Sequence, residues 1–199
     1  MYLTLPAEPD LSRVRSVLQP NWSVLDLGCG VGRIANPLAA EGHAVVAVDD
    51  SAEMLAHIAG PERVLHDIWT LDLGRRFDAV LALSHLLNSR SVERRRALLR
   101  ICRTHLRAGG RLIVQRYAPG WTPVQETRTV GEIEVHLHHI TPLDDGFAAQ
   151  VTYRIGPRAW TQTFDAAVVE DTELNALSDA AALTVVEVLD DTGAWVVLT

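Results

Sequence analysis

The sequence predicts an α/β fold, a mainly parallel sheet covered by helices on both faces and interrupted by an antiparallel insertion. Three observations carry this. Short apolar runs without alternation, at 22–27 and 44–49, read as strands buried on both faces. Up to about residue 116 such runs alternate with helical segments, as in sheets whose parallel strands are joined by crossovers. After Pro119 the periodicity changes to two, with Asp144-Asp145-Gly146 and Gly156-Pro157 as turns.

Each element follows in order. Residues 10–19 form a short helix with Asp10 as N-cap and Leu11, Val14, Val17 and Leu18 on one side. The first strand, 22–27, runs into Gly28, Gly30 and Gly32, and a helix follows at 34–41. Pro37 falls near its first turn, where a missing N–H costs little. The second strand, 44–49, closes on Asp49. Asp50 is expected to cap the next helix, with Glu53 completing a capping box, and Gly60-Pro61 to stop it. Residues 63–66 and 77–83 are the third and fourth strands. Ser91 caps a long arginine-rich helix ending at Gly109-Gly110, and 111–116 is the fifth strand. Strands at 132–139, 149–155 and 159–164 make the insertion. A helix at 171–181 then leads to a closing hairpin of 184–189 and 195–198.

The 199 residues are expected to form a single domain, with 120–166 as insertion or cap. No apolar run approaches the ~20 residues that cross a bilayer, and the start lacks the pattern of a signal peptide. A soluble cytoplasmic protein is the expectation. The two cysteines, Cys29 and Cys102, suit neither a disulfide framework nor a zinc site. The formal charge of −7 disfavours nucleic acid. All 18 basic residues are arginine, so no lysine base or Schiff base is available. Arg94-Arg95-Arg96 reads as the solvated face of its helix.

In parallel sheets ligands bind beyond the carboxyl ends of the strands. The loops after Leu27, Val48, His66, Leu83 and Arg116 therefore share one rim. The glycine loop points to a nucleotide-like ligand, since glycine admits a close backbone approach. A nicotinamide site wants G-x-G-x-x-G. Here the third glycine comes one position early, Arg33 follows it, and Asp26 precedes the loop, where an acid suits a cationic ligand better than a pyrophosphate.

V-L-D-L-G-C-G-V-G-R at 24–33, V-D after the second strand, H-D-I after the third and L-R-A-G-G-R-L-I-V before the fifth together resemble the class I S-adenosylmethionine-dependent methyltransferases. The resemblance covers most of 22–116. It implies a Rossmann-like three-layer sandwich, with a seven-stranded mainly parallel sheet whose last strand is antiparallel. It also implies S-adenosylmethionine as cofactor, with S-adenosylhomocysteine as product. Gly28, Cys29, Gly30 and Gly32 would pack the loop against the methionine and ribose parts, with Asp26 near the ammonium. Asp49, with Asp50 beside it, would accept from the ribose hydroxyls. Asp67 would accept from the adenine amino group, while Ile68 covers the ring and its N–H reaches a ring nitrogen. Ser84 would border the cofactor.

Ser84-His85 follows directly on the fourth strand, and an imidazole titrates near neutral pH, so His85 is the candidate catalytic base. Arg116 and Tyr117, past the fifth strand, are candidates for holding an anionic acceptor or for closing the pocket. His136 and His138 share a strand face with Glu134, while His139 is expected to point the other way with Leu137. The strand reads either as a solvated or lid-facing one or as the wall over the acceptor pocket, with His136 or His138 near the substrate; no third ligand is spelled out, so no metal is assigned. Trp69, Trp121 and Trp160 are candidate aromatic walls.

The expected function is methyl transfer to an oxygen or nitrogen of a small molecule, with secondary metabolism as its setting, without nucleic acid or membrane partners. Only about 21 residues precede the first strand, so either the insertion or a second subunit, in a homodimer or a heteromer, must cover the site. Two rivals stand beside this reading. One is a protein of the same fold that binds the cofactor or its product without methyl transfer, or as one half of a complex. The other, a nicotinamide oxidoreductase, is disfavoured by the glycine spacing.

Overall fold

A computed structural model describes residues 5–199. The chain runs α1 (Asp10–Val17), β1 (Ser23–Leu27), α2 (Ala35–Ala40), β2 (Ala44–Asp49), α3 (Ala52–Leu55), β3 (Glu62–Leu65), β4 (Phe77–Ala82), α4 (Val92–His105) and β5 (Leu106–Gln115). Then come β6 (Glu126–Val130), β7 (Ile133–Leu143), β8 (Gly146–Ile155), β9 (Arg158–Ala166), α5 (Asp171–Ala180), β10 (Val185–Val188) and β11 (Trp195–Leu198). Seven strands form one sheet in the order β10-β11-β5-β4-β1-β2-β3. Strands β1 to β5 pair in parallel, and β11 lies antiparallel between β5 and β10. The other four strands form a separate antiparallel sheet, β6-β7-β8-β9.

Alternation along each strand divides the core in two. Leu25, Leu27, Val46 and Val48 face α4 and α5 through Leu98, Leu99, Leu174 and Leu177. Val24, Val45 and Ala47 face α1 and α2 through Leu11, Val14, Ala35 and Leu38. With both faces covered, the sheet admits continuous apolar runs, and its polar business is confined to the strand ends.

Several details differ from expectation. Pro9, not Asp10, is the N-cap of α1, whose first helical residue is Asp10. Ser51, not Asp50, caps α3: its side chain accepts from the Met54 N–H. The long helix stops at His105, whose ring accepts from the Leu73 N–H at 3.0 Å, and β5 starts at once. The edge strand β6 is an addition, because its Glu-Thr-Arg-Thr-Val lacks the apolar alternation that marks a strand. Ser91 caps α4 as expected, accepting from the Arg94 N–H.

The small sheet turns Ile133, Val135, Phe147, Ala149 and Val151 inward. Its two connections to the parallel sheet meet at Asn88, 2% exposed. The Asn88 Oδ1 accepts from the Tyr117 N–H at 3.0 Å and Nδ2 donates to the Ala167 carbonyl at 2.7 Å. Arg90 adds ion pairs to Asp145 and Asp165. Among the described residues no helix is long and apolar enough to cross a membrane.

Candidate functional site

The ladder aligns the ends of the parallel strands: Leu27 pairs with Val48 and Ala82, and Asp49 with Leu65. The loops beyond them form one rim. There the chain leaving β1 bends through Gly28, Gly30 and Gly32, all at positive φ. Asp49, the last residue of β2, ties this loop in place. Its Oδ2 accepts from the Gly30 N–H at 2.8 Å and its Oδ1 from the Ser51 N–H at 3.0 Å. A carboxylate has about four lone-pair sites, so each oxygen keeps one for a ligand hydroxyl.

The glycines do different work. A Cβ on Gly30 would meet nothing within 4 Å, so this position opens onto free space. A Cβ on Gly32 would come within 2.6 Å of Ile58 and 2.7 Å of the Asn36 Oδ1. That space is filled by the chain itself, so Gly32 serves packing between α2 and the loop after α3. Gly28 sits under the side chain of Leu86, which a Cβ would approach to 3.3 Å.

Asp26 lies one turn of the ladder below, 4% exposed, and among the described residues no hydrogen bond reaches it. Burial pushes its carboxyl up to about 7, with Arg33 opposing and Asp49 adding to the rise. Such a group gains from a cation brought beside it. Cys29 is buried here, and burial raises its thiol well above the ordinary range, so it is not a nucleophile. Asp67 is exposed and caps a single 3-10 turn by accepting from the Trp69 N–H at 2.9 Å. Its neighbour Ile68 is packed into the core. Asp50 is exposed.

Past β4 the backbone enters the left-handed region at two consecutive residues without glycine, Ser84 (φ 53) and His85 (φ 62). Each such residue costs about 1–3 kcal/mol unless its surroundings enforce it. Here they do. The Ser84 N–H donates to the Gln115 Oε1 at 2.8 Å, and the His85 carbonyl accepts from the Asn88 N–H at 2.9 Å. The strained pair lays the His85 ring on Tyr117, 4.3 Å between centroids and 15° between planes. Tyr117 in turn stacks on Trp121 at 4.5 Å, and Phe147 of the small sheet closes the column. Burial pushes the imidazole down to about 4 and the Tyr117 phenol up to about 12. Both are therefore neutral at pH 7. The Nδ1 of His85 is buried without a hydrogen-bond partner.

Three expectations are corrected here. Arg116 is 1% exposed, and its guanidinium donates to the Gly193 and Val169 carbonyls and pairs with Asp171. It is a strut between β5, α5 and the final hairpin, and it cannot reach an acceptor. His136 and His138 lie on the outer face of the small sheet, in a hollow of about 400 Å³ with Thr127, Glu134, Thr152 and Arg154. The inner face, which carries the buried Val135, is the one that meets the aromatic column, so neither histidine walls the pocket. His139 is not turned away from them. A bulge between His138 and Thr141 sets it at φ 49, and its Nδ1 lies 2.5 Å from that of His138. Among the described residues no group of three or more histidine, cysteine or acidic side chains is placed to hold a metal.

Sequence reasoning missed Asn88, Leu86 and Gln115. All three act on the rim through contacts distant in sequence, and no local pattern announces them. Of the candidate tryptophans Trp121 joins the column, Trp69 packs against the core with Arg94 over it, and Trp160 is exposed on β9.

Comparison with known proteins agrees with this geometry. Residues 24–110 match the family model described as a methyltransferase domain. No curated protein matches the sequence. Among solved structures, an S-adenosylmethionine-dependent methyltransferase from Clostridium acetobutylicum superposes with a TM-score of 0.78 at 16% identity, over 97% of this chain and 93% of that one. The sugar N-methyltransferase KedS8 from Streptoalloteichus gives 0.74 at 21% identity, covering 98% and 87%. CalS10, an amino pentose methyltransferase of calicheamicin biosynthesis from Micromonospora echinaspora, solved with S-adenosylmethionine bound, gives 0.75 at 22%, covering 97% and 89%.

Proposed function

We infer that this chain, which carries a methyltransferase domain over residues 24–110 and the class I methyltransferase fold, is an S-adenosylmethionine-dependent methyltransferase acting on a small molecule. The observation that carries this reading is the clamp of Asp49 on Gly30 beside open space. It presents two spare carboxylate lone pairs and a bare loop backbone at the place where a ribose would lie. The unpartnered, buried Asp26 suits the ammonium of the methionine part, and the exposed Asp67 keeps an oxygen for an adenine amino group. These residues fit the cofactor, which when bound supplies an electrophilic methyl group on a sulfonium.

A sulfonium is already a good leaving group, so the protein has chiefly to align and desolvate the acceptor, worth up to about 7–11 kcal/mol. The His85–Tyr117–Trp121 column offers a flat, dry wall for that purpose. His85 presents a neutral ring stacked in the column, and with its Nδ1 buried it serves to pack and desolvate the acceptor rather than to take its proton. Its depressed basicity supports nitrogen over oxygen. An amine has its lone pair available from the start, whereas a hydroxyl needs a strong base to remove its proton. The sugar and amino pentose methyltransferases of the same fold support an amine on a sugar-like small molecule from secondary metabolism. We assign the cover over the site to the antiparallel sheet, whose Phe147 closes the column.

The test is incubation with methyl-labelled S-adenosylmethionine and a panel of amino sugars and their hydroxyl counterparts. Label should pass to an amine. Cofactor binding with no transfer to any acceptor of either kind would contradict the reading.

A further inference from the structure

Four residues form one row across the inner face of the small sheet. In register, Arg128 of β6 lies opposite Val135, Val135 opposite Tyr153, and Tyr153 opposite Trp160. Residues paired across strands share a face, and Val135 is buried on the side that packs towards the column. Arg128 therefore stands on the acceptor side, on the edge strand, where no further strand covers it. Its charge is felt by both His85 and Tyr117.

The cations around it are spoken for. Arg33 is paired with Asp10, Arg90 with Asp145 and Asp165, Arg116 with Asp171, and Arg154, on the outer face, with Glu134. Among the described residues no hydrogen bond or ion pair engages the Arg128 guanidinium. A planar fork of donors beside an aromatic wall, with no internal partner, is suited to a phosphate or carboxylate from outside.

We propose that the acceptor is a small molecule bearing an anionic group, a phosphate or a carboxylate, which Arg128 holds at the mouth of the His85–Tyr117–Trp121 column. This rests on the methyltransferase reading, and it moves the anion-holding role from Arg116, which is buried and engaged, to Arg128, whose side chain is exposed and unengaged.

An inward-pointing charge on an edge strand can also serve to block pairing with another sheet, and the experiment separates the two roles. S-adenosylhomocysteine is first titrated calorimetrically into the wild type and Arg128→Gln, followed by inorganic pyrophosphate and, separately, citrate. The cofactor product should bind both proteins alike. Pyrophosphate, citrate or both should bind the wild type and weaken by roughly tenfold or more in Arg128→Gln, the loss expected for a charge-assisted pair. Arg128→Lys should recover most of that loss. A preference between the two anions tells phosphate from carboxylate. Equal anion affinity in wild type and Arg128→Gln, or no anion binding by the wild type, overturns the proposal. So does self-association of Arg128→Gln with anion binding unchanged, which would make the residue an edge guard. Failure of the wild type to bind S-adenosylhomocysteine contradicts the methyltransferase reading instead, and the anion titrations still decide the role of Arg128.

Discussion

The parallel sheet and the antiparallel sheet build their share of the rim in different ways. In the parallel half, position comes from the backbone: Asp49 is where β2 stops, and it holds the Gly30 N–H because the two strand ends are adjacent. In the antiparallel half, position comes from register, since a shift of one residue moves a side chain to the opposite face. Two arginines show the difference. Arg116 follows β5 at the rim, yet three partners draw it into the core. Arg128 lies far from the glycine loop in sequence, yet its register sets it on the acceptor side. Proximity to a strand end is thus a good guide for a short acid and a poor one for a long cation.

The largest effect that sharpens this comparison lies within the glycine loop. Gly32→Ala combines a φ of +82 with contacts below 3 Å and should cost about 3 kcal/mol or more in denaturant unfolding. Gly30→Ala, open on its Cβ side, should cost only about 1–2 kcal/mol from its φ of +55 while still weakening S-adenosylhomocysteine binding. Equal stability losses would remove the distinction between a packing glycine and a ligand-facing one.

The next effect is a pH dependence. His85 is pushed down to about 4, so the folded state stays neutral while the unfolded chain takes up a proton, and stability rises with pH from about 4 to 6.5. Asp26 is pushed up to about 7, so the folded state holds a proton the unfolded chain has lost, and stability falls with pH from about 4 to 7. Each is worth up to about 3–4 kcal/mol, and in the wild type they oppose one another. Asp26→Asn should expose the rising slope and His85→Phe the falling one in urea titrations across that range. Parallel profiles for the two variants would contradict the burial of both groups.

Asn88→Ala tests the joint between the two halves. It strips partners from the Tyr117 N–H and the Ala167 carbonyl, at about 1–3 kcal/mol for each group left buried and unpaired. Amide exchange should quicken in β6 to β9 while β1, β2 and β4 keep their protection; a uniform loss would mean the halves do not open separately. The smallest effect belongs to the outer face. His136→Ala with His138→Ala should leave S-adenosylhomocysteine affinity within about twofold, since neither ring faces the rim. A larger change would restore the pocket-wall role.

The legibility of the sequence follows the same division. Apolar runs, the glycine loop and the acids at strand ends were readable because each is a local pattern with one backbone solution. The strand at 44–49 and the final strand, Trp195–Leu198, have the bounds their apolar runs predict. The edge strand β6 was not, because nearly every residue in it is polar. The bulge at His138–Thr141 was not either, since alternation assumes a regular pleat, and it is what brings His139 to His138. Asn88 and Gln115 act across distances of 29 to 79 residues, which no spacing rule reaches.

The central claim is that the Asp49 carboxylate grips the sugar of a nucleoside cofactor. Calorimetric titration of S-adenosylhomocysteine into the wild type and Asp49→Asn tests it most directly. The account predicts saturable binding by the wild type and a loss of roughly tenfold or more in the variant, because a charge-assisted contact becomes a neutral one. No binding by the wild type, or equal affinity in the two proteins, would contradict it.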